Sequence, residues 1–155
     1  MAFWLMKSEP DEVSFDDLLA APGGTLAWFG VRNYQARNFM RDAMQPGDGV
    51  LFYHSSCAVP GVAGVAEVAS TAYPDASQFD PKGKYFDPKA TPEQPRWISL
   101  DVRAVRRGAF LPLTEMRAMP ALAEMVLLQK GSRLSISPVS AAQWKAVLAR
   151  LGAQG

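Results

Sequence analysis

The sequence predicts an α+β fold, a mixed and mostly antiparallel sheet that closes into a small barrel with helices outside. Three observations predict it. Residues 50–53, 61–70 and 97–104 read as successive strands with no helical stretch between them, so they lack the crossover helices that parallel neighbours need. Residues 97–104 alternate strictly, Ile98, Leu100, Val102 and Ala104 against Trp97, Ser99, Asp101 and Arg103. Helical spacing is confined to short stretches near the start, at 36–44, within 112–128 and after Ser140.

Each element has its own signal. Residues 2–8 are an apolar run stopped by Glu9-Pro10, which suits a buried strand. Ser14 and Asp17 form a capping box ahead of Phe15, Leu18 and Leu19, and Pro22-Gly23-Gly24 ends that helix. Ala36, Phe39, Met40, Ala43 and Met44 share one face of a second helix, leaving Tyr34, Arg37, Asn38 and Arg41 opposite. Pro46-Gly47-Asp48-Gly49 is a turn into the strand Val50-Leu51-Phe52-Tyr53. The small, β-branched run GVAGVAEVAS at 61–70 is the next strand, with Gly61 and Gly64 placed for close strand packing. Residues 74–95 hold Pro74, Pro81, Pro88, Pro92 and Pro95, which forbid regular structure, and a loop this long is functional or mobile. After the 97–104 strand come short helices, one starting at Pro120, then a strand over 133–137. A capping box at Ser140 and Gln143 opens a last helix whose face is Trp144, Val147, Leu148 and Leu151.

Composition bounds the function. A chain of 155 residues is one domain over 1–155, and 48% apolar with 20% charged residues describes a folded, soluble protein. A single cysteine, Cys57, excludes a disulfide framework and a CxxC metal site, and a single histidine, His54, leaves no histidine metal cluster; no metal and no cofactor are expected. No apolar run approaches the roughly 18 residues of a membrane helix. The charge of Lys7 follows the apolar start, the reverse of a secretory signal, so a cytoplasmic location is expected. There is no GxSxG elbow, phosphate-binding loop or GxGxxG. Cys57 and His54, three residues apart at a strand end, would face opposite ways and make a poor dyad.

Charge is uneven. Residues 96–155 carry nine bases and three acids, whereas residues 1–31 carry one base and five acids. Arg32, Arg37 and Arg41 stand together without an acid, and Arg106 and Arg133 add to the basic second half, enough to hold a polyanion locally. Among the aromatics, Trp4 and Trp144 read as core. Trp97 sits on the polar side of an alternating strand, and Trp28 sits in a loop ahead of Arg32, Asn33 and Tyr34. Two rings with Asn, Ser and Arg donors beside them suit an unpaired base.

The motifs WLMKSEP (4–10), GVRNYQARNFMRD (30–42), GDGVLFYHS (47–55), YPDASQFDPKGKYFDPK (73–89), PRW (95–97) and SR (132–133) together resemble the EVE-domain family, including its bacterial single-domain members and the branch of thymocyte nuclear protein 1. The resemblance covers the whole chain in order. It implies a PUA-like mixed, mostly antiparallel β pseudo-barrel with flanking helices, distantly related to the YTH and ASCH domains. It further implies a non-enzymatic reader of a modified nucleobase, of the modified cytosine or N6-methyladenine type, in DNA or RNA. By this resemblance Trp28 and Trp97 form an aromatic cage and Lys7 and Ser8 end the first strand beside it. Phe52, Tyr53, His54 and Ser55 form the pocket wall, and Asn33 and Tyr34 face it from the start of the helix, next to Arg32. Arg133 contacts phosphate. Arg37, Arg41 and Arg106 supply sequence-blind affinity for the backbone. A third cage ring has no obvious position, and Tyr85 or Phe86 of the long loop would have to supply it. The competing implication is an ASCH-like amidohydrolase acting on an acylated nucleobase through Lys7, Ser8 and Glu9, although a strand turns Ser8 away from both neighbours. A protein-interaction module using the proline-rich loop is a third reading.

Overall fold

The first strand, β1 (Phe3–Ser8), lies between two others: it runs parallel to β3 (Gly49–His54) and antiparallel to β7 (Ile136–Val139). The computed structural model describes residues 1–152, so the last three residues of the domain predicted over 1–155 lie outside it. The other elements are α1 (Phe15–Ala20), β2 (Thr25–Trp28), α2 (Tyr34–Asn38), β4 (Gly61–Val68), β5 (Tyr73–Pro74), β6 (Ile98–Pro112), α3 (Leu113–Arg117) and α4 (Ala141–Leu151). The described residues form a seven-stranded sheet in the order β2-β6-β4-β3-β1-β7, with β5 paired to β6. The pair β1 and β3 is parallel and every other ladder is antiparallel, so the mixed, mostly antiparallel α+β architecture is the observed one.

The sheet curls. Its edge strands β2 and β7 share no ladder, yet Leu26 and Trp28 of β2 pack into the same core as Ile136 of β7. Register shifts within the β3–β4 and β4–β6 ladders provide the bends. The result is a pseudo-barrel whose seam lies between β2 and β7. The central strands β3 and β4 are buried on both faces, which is why they read as nearly continuous apolar runs. On β3, Val50 and Phe52 enter the inner core with Trp4, Phe15, Leu100 and Val102. Leu51 and Tyr53 enter an outer core covered by Met116, Leu122, Val147 and Leu151. Gly64 lets the inner core close up: a Cβ there would lie 2.4 Å from Cζ of Phe15.

Several predicted elements shift. Trp28 ends a strand, β2, instead of sitting in a loop; Thr25–Trp28 pairs with Leu100–Arg103. The helix predicted to 44 changes character at Phe39, where Phe39–Ala43 forms a π turn and the Met44 N–H donates to the Phe39 carbonyl at 2.9 Å. The wider turn buries Met44 and leaves Ala43 exposed, so one member of the predicted stripe leaves the core. Both capping boxes form as predicted, Ser14 with Asp17 and Ser140 with Gln143.

Candidate functional site

A cavity of about 310 Å³ opens at the seam of the pseudo-barrel. β2 supplies Leu26, Ala27 and Trp28; the end of β1 and the turn after it supply Lys7, Ser8, Glu9, Glu12 and Val13; Arg133 and Ser135 come from just before β7. Its apolar floor is Phe52, Leu18 and Val102. The Trp28 ring meets Phe52 edge-on, with centroids 5.4 Å apart and planes at 75°.

The turn after β1 is firmly built. The Glu9 carbonyl accepts from the N–H groups of Glu12 and Val13 at 2.9 and 3.0 Å. The Ser8 hydroxyl donates to the Val13 carbonyl at 2.5 Å. Across from it, the long loop delivers Tyr85 to the cavity wall. The Tyr85 hydroxyl donates to Glu12 at 2.5 Å, and Lys84 pairs with the second Glu12 oxygen at 3.1 Å. These partners hold the Glu12 carboxyl below the usual range, the Tyr85 hydrogen bond foremost. Tyr85 also meets Phe29 edge-on at 5.9 Å.

Two buried polar side chains fold the proline-rich loop. Gln78, fully buried, donates to the carbonyls of Asp75 and Trp97 and accepts from the N–H groups of Arg96 and Trp97. Asp75, 1% exposed, accepts from the Gly30 N–H at 2.8 Å and pairs with Arg32 at 3.2 Å. Arg32 also donates to Val31 O, Ser77 Oγ and, from two nitrogens, Tyr85 O. All five of its N–H donors are therefore occupied.

This geometry tests the predicted residues one by one. Lys7, Ser8, Trp28, Arg32, Asn33, Phe52, Ser55 and Arg133 all border the cavity. Arg32 borders it as a clamp on the loop, with all of its guanidinium donors engaged by protein groups. Trp97 is a correction. It is buried at 6% exposure away from the cavity, stacked on Tyr34 with centroids 4.8 Å apart, and its indole N–H donates to Asp87 at 2.8 Å. Trp28 and Trp97 therefore do not form one cage. The alternation that put Trp97 on a polar face begins only at Ile98, and the chain before that strand turns the indole inward beneath Arg32, whose guanidinium carbon sits 5.2 Å from its ring.

Three wall residues are also misplaced by the prediction. Tyr34 lies outside the cavity, packed on Trp97 with the Arg37 guanidinium 4.7 Å from its ring centre. Tyr53 points into the outer core because it alternates with Phe52. His54 caps α1: its Nε2 accepts from the Phe15 N–H at 3.1 Å, and burial holds the imidazole below its usual range, in the neutral form that this bond requires.

Of the predicted phosphate residues, Arg133 borders the cavity and its side chain makes no hydrogen bond among the described residues. Arg37 donates to Asn38 and to the Arg96 carbonyl, Arg41 pairs with Asp42, and Arg106 lies on β6; none of the three borders the cavity. Partial burial holds the Lys7 ammonium below the usual lysine range. Glu12, Phe29, Gly30 and Ser135 belong to the wall but were not singled out; Phe29 and Gly30 were legible as neighbours of Trp28, whereas Glu12 and Ser135 carry no local signal. Phe86, offered with Tyr85 as a third ring, is exposed and does not border the cavity.

Among the described residues, no group of three or more His, Cys, Asp or Glu could hold a metal ion, and no helix is long and apolar enough to cross a membrane.

The EVE domain family model matches residues 2–150. Human thymocyte nuclear protein 1 is 40% identical over 163 residues, spanning 94% of this chain and 72% of that protein. A crystal structure of human THYN1 protein in complex with 5-methylcytosine containing DNA superposes with a TM-score of 0.91 at 40% identity, covering 97% of this chain and 98% of that chain. A crystal structure of a Pseudomonas syringae protein superposes at 0.92 with 50% identity, covering 97% of this chain and 99% of that one. An ASCH protein of Zymomonas mobilis superposes at 0.56 with 7% identity over 96% of this chain and 98% of that one, a likeness of fold alone.

Proposed function

Because this chain belongs to the EVE domain family, we propose that its seam cavity receives a modified nucleobase of a nucleic acid, of the 5-methylcytosine class. The observation that carries the reading is the character of the wall. An indole, Trp28, stands over an aromatic floor beside donors that no described protein group uses: the indole N–H, the Asn33 amide N–H₂ and the Arg133 guanidinium. Asn33 is already fixed, since its carbonyl oxygen caps α2 by accepting from the Ala36 N–H at 3.0 Å. Its amide hydrogens are thus presented by a side chain already ordered by that bond.

The size supports one base. A cavity of about 310 Å³ lies at the small end of the range for ligand sites. A base must leave its stack to enter, at a cost of a few kcal/mol, and stacking on an aromatic ring returns about 1–3 kcal/mol. The two-indole sandwich is replaced in this reading by Trp28 with Phe29 and Tyr85 at the rim. The complex of the human relative with 5-methylcytosine DNA supports cytosine over adenine as the base. Arg133 at the mouth supplies phosphate attraction.

The test is a fluorescence-anisotropy panel. Single-stranded DNA and RNA oligonucleotides carry one 5-methylcytosine, one N6-methyladenine or the plain base. Preferential binding of the methylcytosine strand, weakening as salt rises, is the expected result. Equal affinity across the panel overturns the reading. Lys7, Ser8 and Glu9 all border the cavity, which is the observation that favours the amidohydrolase reading. Against it, the Ser8 proton is committed to the Val13 carbonyl. Release of acetate from N4-acetylcytidine, read by mass, would establish hydrolysis in place of binding.

A further inference from the structure

The cavity rim offers several donors but few open acceptors. Glu12 is consumed by Tyr85 and Lys84. Glu9 is different: it borders the cavity, and its carboxylate makes no hydrogen bond or ion pair among the described residues. Its backbone is nevertheless held by the two N–H groups that its own carbonyl accepts, with Pro10 stiffening the next position. A fixed backbone with an uncommitted, acceptor-only head is the form that a specificity residue takes.

A cavity for 5-methylcytosine must also reject thymine. 5-Methylcytosine and thymine share the methyl group and the ring outline, so stacking and methyl packing cannot tell them apart. They differ at position 4, where cytosine carries an amine that donates and thymine an oxygen that accepts. Of the side chains at this rim, an open carboxylate is the one that favours cytosine, since it accepts from the amine and repels the oxygen, whereas the free donors Lys7 and Arg133 would favour thymine. We infer that Glu9 accepts a hydrogen bond from the exocyclic amine of the bound base, and that it is the residue by which the site rejects thymine. The inference rests on the proposed nucleobase reading and deepens it.

The experiment uses the full chain and oligonucleotides that differ at one position, 5-methylcytosine, cytosine or thymine, with wild type, Glu9→Gln and Glu9→Ala. Glutamine both donates and accepts, so E9Q should tolerate either group. Wild type is expected to prefer the 5-methylcytosine strand over the thymine strand by roughly tenfold, the size of one good base contact. E9Q should bring the two within about twofold by gaining thymine affinity, and E9A by losing methylcytosine affinity. Wild type that binds every strand equally overturns the nucleobase reading and this inference with it. Wild type that prefers methylcytosine, with the same preference over thymine kept in both variants, overturns the role of Glu9 alone. Unchanged circular dichroism of the variants confirms that each has folded.

Discussion

Gly30 and Tyr85 touch so closely that a Cβ on the glycine would lie 2.7 Å from Cζ of the tyrosine. The glycine also holds φ +82°, in the left-handed region, and its N–H is clamped by Asp75. The close approach lets the long loop lay a ring against the cavity wall. Gly30→Ala should therefore displace Tyr85 and strain the backbone together. We expect a loss of about 1–3 kcal/mol in urea unfolding, with weaker oligonucleotide binding. Unaltered stability and affinity would show that the contact has slack.

Arg32 is expected to act on the loop and not on the ligand. Arg32→Lys keeps one charge but cannot reach Asp75, Ser77, Val31 and the Tyr85 carbonyl from a single nitrogen. Faster hydrogen exchange across residues 75–97 and a loss of roughly 2–3 kcal/mol are the predicted outcome. A variant with weaker binding but native exchange rates would instead place the guanidinium on the ligand.

Trp28 and Trp97 should separate cleanly in their effects. Trp28→Ala removes the wall indole and should cost roughly tenfold or more in affinity for the modified strand. Trp97→Phe keeps a ring on Tyr34 but loses the bond to Asp87. It should cost about 1 kcal/mol of stability and leave affinity within roughly twofold. Comparable losses of affinity in both would restore the two-indole cage.

His54 gives stability a pH dependence. Its folded value lies below the ordinary one of 6.5 because the ring is partly buried, so the unfolded chain binds the proton more readily. Stability is complete above pH 6.5 and falls as the pH drops from there through the lower folded value, at no more than about 1.4 kcal/mol per pH unit. The same protonation removes the acceptor for the Phe15 N–H and loosens the start of α1, whose Leu18 floors the cavity. Melting temperatures of wild type and His54→Gln between pH 7.5 and 5 check this. The two curves should converge toward pH 5, and parallel curves would contradict it.

The legible parts of the molecule were those with a local cause. Composition exposed β3, period-2 and period-3.6 patterns exposed the start of β6 and the face of α4, and the spacing of Ser14 with Asp17 and Ser140 with Gln143 exposed both capping boxes. β2 escaped because Thr25–Trp28 is four residues long and earns its strand geometry from β6 and not from its own pattern. The cavity was legible in its motif residues, Lys7, Ser8, Trp28, Asn33 and Arg133. The ties of Arg32 and the inward turn of Trp97 were not legible because their partners Asp75, Tyr85 and Asp87 lie across a 22-residue stretch whose path is set by the buried amide of Gln78. No spacing rule reveals such a hub, since what matters is which carbonyls happen to converge on it.

The position of the cavity between two strands that never pair has a consequence for how the site comes into being. Most of the wall comes from residues 7–55, with Tyr85 from the long loop and Val102 from β6, and the last pieces are Arg133 and Ser135, so the binding surface is finished only when β7 docks beside β1. Occupancy, in turn, would rivet these pieces together, and a bound base would slow the parting of β7 from the rest of the sheet.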